Sequence, residues 1–116
     1  MNKKIFQGEI WWINPIPKID SEQRGKRPAL IIQNDIANKY LKTTIVAVIS
    51  SSGKIDMPEM VPLNTKKELE IDSSADFAQI FTISKSRLIK KVGKIKVGKW
   101  KQVKKALDTI FLQTIS

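Results

Sequence analysis

The sequence predicts a mainly β domain with some α structure: a small, strongly bent sheet or barrel closed by a C-terminal amphipathic helix. Three observations predict it. Five or six short runs rich in β-branched and aromatic residues are separated by turn residues. The last stretch of the chain changes to a helical period. A length of 116 residues leaves room for one core but not two, so one domain over residues 1–116 is expected. The 41% hydrophobic residues can fill that core, and the 28% charged residues keep it dissolved.

The elements follow in order. Glu9 to Ile13 (EIWWI) is a first strand, ended by Pro15 and Pro17. Alternation sends Trp11 and Trp12 to opposite faces, so one belongs to the core and the other to a rim or interface. At that rim, packing competes with base stacking as the use of the ring. Asn14 to Lys26 is a loop long enough to serve a function. Ala29 to Gln33 is a nearly all-apolar strand and therefore central. Asn34 or Asp35 caps one or two helical turns through Lys39 and Tyr40. Thr43 to Ile49 (TTIVAVI) has strong β-propensity and is broken by Ser50-Ser51-Ser52-Gly53. Met60 to Leu63 and Ala75 to Ile83 offer further strands. Val97, Trp100, Val103, Leu107, Ile110 and Phe111 recur at helical steps, which predicts a C-terminal helix packing Trp100 on the sheet.

Composition excludes several chemistries. The chain has no cysteine and no histidine, which removes disulfides, thiolate metal sites, zinc hydrolysis and His-dependent triads. No metal and no cofactor is expected. No apolar run approaches the roughly 20 residues needed to cross a bilayer. The start, MNKKIFQGEIWW, shows no signal-peptide core, so a cytoplasmic protein without membrane contact is expected. The net charge of +10 is concentrated: ten basic and no acidic residues lie between Ser84 and Lys105, while the rest of the chain carries eleven of each sign. That segment suits a polyanionic partner, and it equally suits a solvated helix face.

Nucleotide cradles and hydrolase elbows are missing: the chain contains no GxxxxGK[ST], GxGxxG or GxSxG. Attention falls on SEQRGKRP, Ser21 to Pro28. It gathers a carboxylate (Glu22), an amide (Gln23) and three cations (Arg24, Lys26, Arg27) around Gly25, whose backbone can approach a ligand or take a positive φ. Pro28 biases Arg27 to an extended backbone at the mouth of the second strand. A guanidinium fixed in this way can bind two phosphate oxygens at once. Ser50, at the end of the third strand, is a second candidate, because strand ends cluster at one rim of a small sheet. The alternative is a solvated hairpin loop with Arg27 in a surface salt bridge.

These residues carry a resemblance. SEQRGKRPALIIQND, followed by IVAVISSS, resembles the signature of the MazF/PemK/Kid toxin family, the ribonuclease halves of bacterial toxin–antitoxin pairs. The match runs through GEIWWINPIP, AQIFTISKSRL and ALDTIFL, so it covers nearly the whole chain in order. The resemblance implies an SH3-like, CcdB-type barrel with a C-terminal helix and a twofold homodimer. It also implies metal-independent, sequence-specific cleavage of single-stranded RNA. In that reaction the ribose 2′-OH attacks the adjacent phosphate, leaving a 2′,3′-cyclic phosphate and a 5′-OH.

Roles come over position by position. Arg27 matches the family's catalytic arginine, suited to charge building on the phosphorane oxygens. Glu22 matches the loop glutamate; it accepts the 2′-OH proton or orients Arg27. Ser50 stands where the family usually has threonine, keeping the hydroxyl without the methyl that restricts its rotamer. Ser21, Gln23, Arg24, Lys26 and Gln79 are expected to contact RNA. The resemblance further implies an antitoxin that lays an acidic C-terminal segment across the cationic surface. Two other classes are compatible with this fold and charge: a non-catalytic nucleic-acid-binding member and a gyrase-directed toxin. The set of Glu22, Arg27 and Ser50 favours the nuclease.

Overall fold

Ala29, Leu30 and Ile31 are all fully buried, and the fold is organised around the strand they form. The computed structural model describes residues 3–14, 26–51, 57–69 and 72–111. Within them the chain runs β1 (Glu9–Ile13), β2 (Arg27–Ile31), α1 (Asp35–Tyr40), β3 (Thr43–Ser50), β4 (Met60–Pro62), α2 (Lys66–Leu69), β5 (Ser74–Ser84), β6 (Leu88–Lys94) and α3 (Trp100–Phe111). Short 3-10 turns at Lys85–Arg87 and Val97–Lys99 lead into β6 and α3. All six strands join one antiparallel sheet in the order β4-β5-β3-β2-β1-β6. The expected mainly β architecture with a closing helix is therefore present, with one correction. The sheet is not closed into a barrel: among the described residues β4 and β6 end it as edges. α2 packs against β6: a Cβ on Gly93 would lie 2.6 Å from Cγ of Glu68.

Local chemistry explains most elements. Asn34 caps α1, its side-chain oxygen accepting from the Ala37 N–H at 2.8 Å, as its residue type predicts. The second strand begins at Arg27, two residues before the apolar run, because Pro28 favours extended backbone. Pairing with β3 starts at Ala29, one residue past the N–H that proline lacks. β6 lies inside the basic segment and was not legible as a strand, because LIKKVGK does not alternate. Its lysines blunt a sheet edge.

Alternation divides the core. Ile10, Leu30, Ala47 and Ile49 join Phe77, Val103 and Ala106 in a cluster closed by α3. Their strand neighbours Trp11, Ile13, Ala29, Ile31 and Val46 form a second cluster with Ile83 and Leu88. Each fully buried large side chain contributes about 1.5–3 kcal/mol. The α3 contact is narrower than the periodicity predicts. Val103 and Ala106 are buried, with Trp100 and Leu107 packed beside them, but Val97 is 84% and Phe111 66% exposed. Val97 precedes the helix in a 3-10 turn, and Phe111 is its last residue.

β5 carries an irregularity that the sequence did not announce. Ala47 pairs with Ile80 and Val48 with Asp76, leaving Phe77, Ala78 and Gln79 without β3 partners. The Asp76 carboxylate accepts from the Ala78 N–H and from Gln79 Nε2, while Phe77 turns into the core. Among the described residues, no helix is long and apolar enough to cross a membrane.

Candidate active site

The rim where β1, β2 and β3 expose their ends holds the candidate site. β1 ends at Ile13, which pairs with Arg27 at the start of β2, and Trp12 pairs with Pro28. The β2–β3 register, Ala29 with Val48, continues two residues outward to Arg27 and Ser50. These ends surround a cleft of about 360 Å³ lined by Trp12, Lys26, Arg27, Ile49, Ser50 and Ser51, among others. Arg27 and Lys26 are exposed and Ser50 is half-buried.

Arg27 has no ion-pair partner among the described residues, so the surface salt bridge weighed from sequence finds no counterpart there. The cleft thus presents two cations and at least two hydroxyls to one small volume. A guanidinium fork, an ammonium and hydroxyl donors are the groups that bind phosphate oxygens.

The sequence-predicted residues divide three ways. Arg27, Ser50 and Lys26 come together in the cleft. Gln79 lies on the β5 irregularity, exposed and donating to Asp76 at 2.7 Å, outside the lining of the cleft. Ser21, Glu22, Gln23 and Arg24 lie outside the described residues. Trp12, Ser51 and Ser73 line the cleft without having been singled out as site residues. For Trp12 the sequence offered its place opposite Trp11 on an alternating strand, where packing and base stacking competed as the use of the ring.

The basic segment reaches the same rim. β6 runs beside β1 with Lys90 level with Trp12, so one cation of that segment stands beside a residue that lines the cleft. Its neighbour Lys91 is committed elsewhere. It pairs with the buried Glu9 at 3.1 Å, whose other oxygen accepts from the Phe6 N–H and from Trp11 Nε1. A larger groove of about 780 Å³, walled by the N-terminal segment and α1 near Tyr40 and Lys85, shares no residue with the cleft. It is the bigger space but gathers no hydroxyl–guanidinium set.

Comparison with known proteins bears on the family and the fold. The family model described as PemK-like, MazF-like toxin of type II toxin-antitoxin system matches residues 6–111. The chain is 40% identical over 106 residues to Endoribonuclease MazF of Staphylococcus epidermidis, covering 90% of this chain and 88% of that protein. Among solved structures, it is similar in fold to an endoribonuclease from mycobacterial species, with TM-score 0.78 and 15% identity, covering 98% of this chain and 97% of the other. A second mycobacterial endoribonuclease, solved with its cognate antitoxin, has TM-score 0.77 and 17% identity over 96% and 99% of the two chains.

Proposed function

The chain belongs to the PemK-like, MazF-like toxin family of type II toxin–antitoxin systems, and from that premise we propose that it is an endoribonuclease cutting single-stranded RNA without a metal ion. The observation that carries the reading is the meeting of Arg27 and Ser50 in one cleft, at the ends of strands far apart in sequence. In the reaction the 2′-oxygen forms a bond to the adjacent phosphorus, and the bond from phosphorus to the 5′-oxygen breaks. The 2′-OH gives up its proton and the departing 5′-oxygen gains one, leaving a 2′,3′-cyclic phosphate and a 5′-OH. Arg27 faces the charge that grows on the phosphoryl oxygens, and Ser50 donates a hydrogen bond to the same group. Glu22 takes the 2′-OH proton or orients Arg27.

The toxin acts as one domain over residues 1–116 and as a homodimer. Its activity is restrained by an antitoxin with an acidic segment. The solved mycobacterial complex and the cationic rim support that partner. The deciding experiment incubates the purified protein with a long single-stranded RNA in EDTA, beside Arg27→Ala, and maps the cut ends. Discrete cuts with 5′-OH ends, lost in the variant, are expected. Intact RNA under conditions where binding persists would replace the nuclease with a binding module.

A further inference from the structure

Two tryptophans stand side by side on β1, and the fold gives them different surroundings. Trp11 is 8% exposed in the second apolar cluster, and its indole N–H donates to Glu9 Oε1 at 2.9 Å. Trp12 is half-buried and belongs to neither buried cluster, and its indole N–H, unlike that of Trp11, has no hydrogen-bond partner among the described residues. It helps form the wall of the cleft that contains Lys26, Arg27 and Ser50.

We propose that Trp12 is the platform on which a nucleobase beside the Arg27-bound phosphate stacks. The proposal rests on the reading of the cleft as an RNA site and adds the group that holds the base. An unpaired base needs a flat apolar surface, and its backbone needs cations spaced to meet the flanking phosphates. Trp12 has both relations. Across one ladder it pairs with Pro28, next to Arg27; across the other it pairs with Lys90. At about 360 Å³ the cleft lies near the lower end of small-ligand sites, which span roughly 300–1,000 Å³. It is sized for a nucleotide rather than for folded RNA. The rival use of the ring, burial against a second copy of this chain, would bring Lys26, Arg27 and Lys90 toward like charges.

The test measures binding, so it does not depend on cleavage. The probes are a random-sequence 2′-O-methyl RNA of twelve nucleotides, which has no free 2′-OH to attack, and an abasic oligomer of equal length. They are titrated at fixed salt into wild type, Trp12→Phe and Trp12→Leu, reading affinity and tryptophan fluorescence.

Wild type should show quenching with the base-bearing probe and little with the abasic one. Trp12→Phe should lose the quench while keeping most affinity. Trp12→Leu should lose roughly 5- to 150-fold in affinity for the base-bearing probe and nothing for the abasic one. Equal affinities across the three proteins, or a quench that survives in Trp12→Phe, would overturn the proposal. If Trp12→Leu does not fold, the quench comparison with Trp12→Phe decides alone. Base-dependent quenching without RNA cleavage would sink the nuclease reading and leave the platform standing. Cleavage without such quenching would do the reverse.

Discussion

Trp100 closes over Gly8 so tightly that a Cβ on the glycine would lie 2.7 Å from Cζ2 of the indole. Gly8 has φ +93°, a backbone conformation that L side chains rarely adopt, and its carbonyl accepts from the Ile95 N–H at 2.9 Å. One residue therefore lets the chain enter β1 and lets α3 seat on the sheet. Gly8→Ala meets both constraints. Backbone strain of about 1–2 kcal/mol adds to the steric clash, so a loss of at least about 2 kcal/mol is expected in urea unfolding. An unchanged midpoint would show that Trp100 moves aside freely.

Arg27 is exposed and borders the cleft, so its replacement should reach activity without reaching the fold. Arg27→Ala is expected to slow single-turnover RNA cleavage by about 10²–10³-fold, the scale for losing one preorganised donor to a developing anion. Arg27→Lys should recover little, because an ammonium lacks the planar fork. A variant cutting at the wild-type rate would remove Arg27 from the chemistry.

Ser50 keeps a hydroxyl where the resembled family usually has threonine. Ser50→Ala should lower cleavage by about 10- to 100-fold, as expected for a lost hydrogen bond to a charged group. Ser50→Thr should restore full activity, since the added methyl narrows χ1 without removing the oxygen. If Ser50→Ala cleaves as wild type, the hydroxyl is a bystander at the end of β3.

Asn38 supports the fold away from the cleft. It is 3% exposed; its Oδ1 accepts from Thr44 Oγ1 at 2.7 Å and Gln33 Nε2 at 2.9 Å, and its Nδ2 donates to the Gln33 carbonyl. Asn38→Ala strands those partners, Thr44 being fully buried, and should cost about 2–4 kcal/mol in chemical unfolding. Thr44→Val removes one donor together with its need for an acceptor and should cost much less. Equal costs for the two would mean that water takes over the lost bonds.

Sequence legibility followed the range of the interactions involved. The EIWWI strand, the cap at Asn34 or Asp35 and the TTIVAVI strand follow from residues within a few positions of one another, and all three appear, with Asn34 as the cap and the third strand running one residue further, to Ser50. The mainly β sheet was legible, but its failure to close was not, since closure depends on whether β4 and β6 meet. β6 escaped notice because adjacent Lys90 and Lys91 break the alternation that marks a strand. At the site, Arg27 was singled out by the polar run that ends at Pro28 and Ser50 by its place at the end of the third strand. Trp12 had no such marker, and its chemistry depends on which face of β1 borders the cleft.

By itself the sequence determined the classes of structure and chemistry open to this chain. Propensity and period specify strands and a final helix, the absence of histidine and cysteine removes whole families of mechanism, and the polar run from Ser21 to Pro28 marks a candidate phosphate-binding loop. Tertiary structure decided which residues meet. It brought Arg27 and Ser50 to one cleft, ranked Trp12 with the cleft and Trp11 with the core, and put Lys90 beside Trp12. The physical reason is register: a slip of one residue in any ladder would send every side chain of that strand to the other face. Register is fixed by contacts between segments distant along the chain, and those contacts exist only once the sheet has formed.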